Sequence, residues 1–107
     1  MIEGFEDNSL VIINLVNPKE KFIGILRSVS PAGATVRAIN LDSFEDWMRQ
    51  VARKDPPDIG FATMFVPLFR VERIFLDEPT ASIPSFGEQF YNVVGQRIDG
   101  HILAVGC

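Results

Sequence analysis

The 107-residue sequence predicts a mainly β fold: a five-stranded, strongly curved antiparallel barrel over residues 10–77, with one helix inserted between strands three and four and a C-terminal helix after the last strand. Three observations carry this expectation. Short β-branched runs separated by Pro, Gly and Asn turns begin at Leu10. The apolar periodicity switches once to a helical one and then back. A glycine, Gly24, stands in mid-strand, where a strand bends sharply or another backbone approaches closely.

The first strand is Leu10–Val16, in which adjacent Ile12 and Ile13 prepare both faces for burial, and it stops at the turn-forming pair Asn17-Pro18. Lys21–Val29 is the second strand, curved at Gly24, and Ser30-Pro31-Ala32-Gly33 supplies a tight turn into the third, Ala34–Leu41. Phe44, Trp47, Met48 and Val51 then fall at i, i+3, i+4 and i+7, the stripe of a helix over 43–54. Asp42 or Ser43 can cap its start, with Glu45 or Asp46 completing a capping box, and Asp55-Pro56-Pro57 prevents continuation. Phe61–Val66 reads as strand four, Pro67 to Arg70 as a break, and Val71–Leu76 as strand five, with Val71, Ile74 and Leu76 facing the core across a slight irregularity. A helix over 85–95 follows, with Ser85 as cap, Glu88 closing the box, Phe86, Phe90, Val93 and Val94 as stripe, and Gly95 as left-handed stop. The remainder, 96–107, shows no clear period and is expected to be only partly ordered.

Composition narrows the function. Hydrophobic residues make up 47% and charged residues 22%, a globular balance for a single domain. The apolar runs are too short for a membrane span, and the acidic opening Met1–Asp7 resembles neither a signal nor a transit peptide, so the expected address is cytoplasmic. Cys107 is the single cysteine, which excludes an intrachain disulfide and a multi-cysteine metal site. A net charge of −4 is opposite in sign to the basic footprint of nonspecific nucleic-acid binders.

No enzyme constellation is readable. His101 and Cys107 form a nucleophile pair only on paper, because nothing orders the tail that carries them. Glu45-Asp46 is explained by helix capping and Asp77-Glu78 by a strand end. Ser85 lies outside any nucleophile-elbow pattern, and Gly95-x-x-x-x-Gly100 lacks the lysine of a phosphate loop. No cofactor or metal is implied.

The order of strand, curved strand with a mid-strand glycine, third strand, insertion, fourth strand, short break and fifth strand resembles the Sm-like small β-barrels, in the form of a divergent bacterial member. The resemblance covers roughly residues 9–77 and rests on Leu15, Gly24, Leu26 and Val29 in the first motif and on Val66, Val71 and Ile74 in the second. It implies a homo-oligomer, a ring in which strand four of one subunit pairs with strand five of the next. It also implies single-stranded RNA contacts in the loops after strands two and four. There the chain departs from the family: Ser30 and Ala34 stand where an Asp and an Asn are usual, and Pro67-Leu68-Phe69 where an Arg-Gly or Lys-His pair is usual.

Two functional expectations follow from the resemblance. In the first, the chain is a non-enzymatic oligomeric module for protein interaction or scaffolding, with Met64, Phe65, Val66, Leu68, Phe86 and Phe90 as interface residues. In the alternative, an Sm-like ring binds RNA or nucleotides, with Phe69 stacking on a base, Arg70 reaching a phosphate and Ser30 in the neighbouring loop.

Overall fold

A computed structural model describes residues 8–56 and 58–103. The elements run β1 (Leu10–Leu15), β2 (Glu20–Ser30), β3 (Gly33–Asn40), α1 (Leu41–Ala52), β4 (Ala62–Pro67), a 3-10 turn (Leu68–Arg70), β5 (Val71–Leu76), α2 (Phe86–Val94) and α3 (Ile98–Leu103). The strands form one antiparallel sheet in the order β4-β3-β2-β1-β5. Every expected strand is present.

The sheet does not close into a barrel: its order has two ends, and no ladder joins β4 to β5 among the described residues. It nevertheless curls strongly. Val11, Ile13, Leu15, Leu26, Val36 and Val66 are buried on one face, where residues of both edge strands, Met64 and Val71 among them, pack against the same cluster. In a flat sheet those edges would stand about 19 Å apart, four strand spacings. Gly24 makes the tightest part of the curl possible, since a Cβ there would meet the Arg37 carbonyl oxygen at 2.1 Å and the Ala38 Cα at 2.5 Å. A bulge between Leu26 and Ser28 turns the end of β2 further.

The opposite, outer face of the sheet carries the helices. Ile23, Ile25 and Ile39 are covered by Phe44, Trp47 and Met48 of α1, Phe90 of α2, and Ile98 and Ile102 of α3. Aromatic rings fill this layer: Trp47 stacks on Phe90 at 5.3 Å and meets Phe61 edge-on at 4.7 Å, while Phe44 meets Phe86 edge-on at 5.5 Å. Ile12 and Ile13 therefore serve two cores, as their adjacency requires.

Helix α1 starts at Leu41, capped by the Asn40 side chain, which accepts from the Asp42 amide at 2.9 Å, so neither Asp42 nor Ser43 is the cap. Helix α2 keeps the expected capping box of Ser85 and Glu88 and the left-handed Gly95, at φ 83°. It also gains a cap from outside: Asp77, at the end of β5, accepts from the amides of Phe86 and Gly87, both at 2.8 Å. That carboxylate fastens the helix to the edge strand, so its role is more than a strand-end charge. Part of the tail is helical after all. In α3 the i, i+4 pair Ile98 and Ile102 is buried, and Arg37 donates to the Ile102 carbonyl at 2.6 Å, placing a cation at the helix C-terminus. Cys107 lies outside the described residues, as do 1–7, Pro57 and 104–106.

Candidate interaction surface

The turn after β2 and the 3-10 turn after β4 meet at one end of the sheet. Gly33 lies opposite Pro67, and the Leu68 amide donates to the Ala32 carbonyl at 2.9 Å. The Phe65 ring lies over Gly33, where a Cβ would stand 2.8 Å from its Cζ. Four large apolar side chains are exposed here: Val29, Phe65 at 54%, Leu68 at 51% and Phe69 at 84%. A single exposed phenylalanine is common; here the four side chains lie on adjoining turns and strand ends beside an edge strand.

The polar groups expected to contact RNA are engaged within the chain. The Ser30 hydroxyl accepts from the Ala32 amide at 3.2 Å and donates to the Gly33 carbonyl at 3.4 Å, holding its own turn. Arg70 donates to the Val16 carbonyl at 3.0 Å, to the Pro18 carbonyl at 2.8 Å and to the Glu20 carboxylate at 2.9 Å. Its guanidinium fork thus ties the start of β5 to the β1–β2 turn, and Glu20 neutralises it. Phe69 remains free to stack, without the neighbouring cation the RNA expectation assigned to it.

The interface expectation divides along the strand. Phe65 and Leu68 are exposed, Met64 is half-buried, and Val66 is buried in the inner core because alternation turns it inward opposite Ala34. Phe90 is fully buried under Trp47, and Phe86 packs on Phe44, so both belong to the helix layer rather than to an exposed surface. Phe75 on β5 and Ile83 before α2 are exposed apolar residues with no role assigned from the sequence, and Val93, expected in the buried stripe of α2, is exposed too. Tyr91 of α2 is exposed as well.

Both edges of the sheet offer unpaired backbone. The Leu68 amide pairs towards β3, so by antiparallel alternation Val66, Met64 and Ala62 also bond inward, and Thr63, Phe65 and the Pro67 carbonyl point away from the sheet. At the other edge the Asp77 amide donates to Leu10, which leaves Ile74 and Leu76 pointing outward. β4 carries no charged side chain and ends at Pro67, while β5 carries Glu72 and Arg73 at its bulge.

Among the described residues no three His, Cys, Asp or Glu side chains gather as metal ligands, and no helix is long and apolar enough to cross a membrane. His101 bonds Gln96 at 2.7 Å and packs on Phe90. No family model, curated protein or solved structure matches the chain.

Proposed function

We propose that this chain is a non-enzymatic, Sm-like assembly module that associates with further copies of itself by pairing its β4 edge with the β5 edge of the next copy. The observation that carries this is the bare β4 edge flanked by Phe65, Leu68 and Phe69, with Arg70 withdrawn into an internal staple. Two different edges that pair head-to-tail generate a ring when the rotation closes, and the curl of the sheet supplies a rotation at each step. Burial of Phe65 and Leu68 contributes the apolar part of the association.

The scaffold reading is favoured over RNA binding because the tip presents apolar surface without a free cation, on a chain of net charge −4. Single-stranded RNA binding needs both a stacking face and positive charge. Light scattering at micromolar concentration tests the proposal: a multiple of the chain mass is expected, falling to the single-chain mass in Phe65→Lys. A single-chain mass for the unaltered protein, or an RNA complex at low salt that is lost on Phe69→Ala, contradicts it.

A further inference from the structure

The outer face of the sheet holds a second feature, away from the apolar tip. A cavity of about 590 Å³ lies where β1, β2 and β5 meet the start of α1, within the size range of small-molecule sites. Its floor is one cross-strand row. Asn14 of β1 stands between Lys21 of β2 and Arg73 of β5, its ladder partners on either side. Two strand spacings separate the cations by roughly 10 Å, so a group seated above Asn14 can reach both.

The Oδ1 of Asn14 is buried without any hydrogen-bond partner, and it is the one such side-chain atom among the described residues. Structures rarely keep a buried acceptor unsatisfied unless something else supplies the donor. Of the six charged residues that line the cavity, Glu20 is paired with Arg70, and the other five are uncommitted. Among the described residues, Lys19, Lys21 and Arg73 make no ion pair, and neither do Asp42 and Glu72, although all five line the same cavity. Arg73 is steadied by lying over the Phe75 ring, 5.8 Å from its centroid. Glu72 is the extra residue of a bulge, opposite the step from Asn14 to Leu15, and bulges re-aim side chains in this way.

We infer that this cavity binds a small dipolar molecule of the amino-acid class, its carboxylate held by Lys21 and Arg73 and its ammonium by the Asn14 carbonyl oxygen together with Asp42 and Glu72. Both signs of charge are used, which an anion alone would not do, and the buried acceptor receives a charged donor. Lys19, on the turn after β1, closes the cation side of the rim.

The test is calorimetric titration of the full chain with the twenty L-amino acids one at a time, against acetate and ethylamine as single-charge controls, with amide chemical shifts followed in parallel. At least one amino acid is expected to bind with a sub-millimolar Kd and to shift the amides of Asn14, Lys21 and Arg73, while both controls bind at least tenfold more weakly. Lys21→Ala with Arg73→Ala alters exposed side chains and is expected to weaken binding at least tenfold without lowering Tm. Asn14→Val, which removes the orphan acceptor from a strand, is expected to abolish binding and raise the Tm of the free protein. The inference is overturned if no amino acid binds and the site holds water only, if acetate binds as tightly as the best amino acid, or if the Lys21/Arg73 double variant binds unchanged.

Discussion

Replacing Arg70 by lysine keeps the charge and removes the fork. In the structure the guanidinium makes three donations at 2.8–3.0 Å, two to carbonyls of the β1–β2 turn and one to Glu20, from a side chain that is 24% exposed. A lysine ammonium can satisfy only part of that set, and charge-assisted bonds contribute about 1.5–3 kcal/mol each when lost singly. Lysine retains some of the interaction and water recovers some at this exposure, which leaves a net loss of about 2 kcal/mol for Arg70→Lys, or a Tm fall of roughly 8–12 °C in a domain this size. Arg70→Ala loses all three bonds and falls further. Thermal unfolding followed by circular dichroism measures both. If either variant melts within a degree of the unaltered protein while weakening single-stranded RNA binding, Arg70 is a phosphate contact and the staple is wrong.

Four further outcomes follow from the same geometry. Gly24→Ala places a Cβ within 2.6 Å of the Arg37 carbonyl and Ala38 backbone and side chain, so urea unfolding should show a loss of about 1–3 kcal/mol or more; an unchanged midpoint would show that the sheet relaxes freely there. Trp47→Ala empties the ring stack with Phe90 and Phe61, and a loss of about 3–5 kcal/mol by the same denaturation is expected. Burial pushes the Asp77 carboxyl above its ordinary 3.8, opposed by its bonds from Gly87 and Phe86 and reinforced by Glu88. An acid whose folded pKa is raised contributes stability fully present below 3.8 and lost as pH rises through the shifted value. Asp77→Asn, which holds the neutral form at every pH, should therefore abolish that slope and leave the variant no less stable than the parent at neutral pH, where the parent carboxylate is ionised; identical pH profiles for the two proteins would contradict this.

Much of the architecture was legible because the strands are bounded by their own turns, α1 carries its own apolar stripe and α2 its own caps. The stretch Val71–Leu76, the break after Pro67 and the box of Ser85 with Glu88 needed only local residues. What was not legible depends on partners distant in sequence. Arg70 reads as a cation beside an aromatic, and its acceptors at Val16, Pro18 and Glu20 lie about fifty residues earlier. Asp77 reads as a strand end until α2 is seen docked on it. The run Met64–Phe69 reads as a uniform apolar edge, although alternation applied residue by residue separates outward Phe65 from inward Val66. In α3 the only signal is the Ile98 and Ile102 spacing across Gly100, too little to mark a helix without the sheet and α2 that bury it. The polar cavity is assembled from β1, β2, β5 and the start of α1, a juxtaposition no single segment announces.

In the proposed assembly the two free edges pair with each other between copies. Residue-resolved amide hydrogen exchange across a dilution series addresses it directly, because the N–H groups of Thr63, Phe65, Ile74 and Leu76 point away from the sheet in a single chain. Edge pairing predicts that these amides are protected at high protein concentration and lose protection together on dilution, while those of Met64, Val66 and Phe75 stay protected throughout. Fast exchange of the four outward amides at every concentration, in protein whose inner amides remain protected, would contradict it.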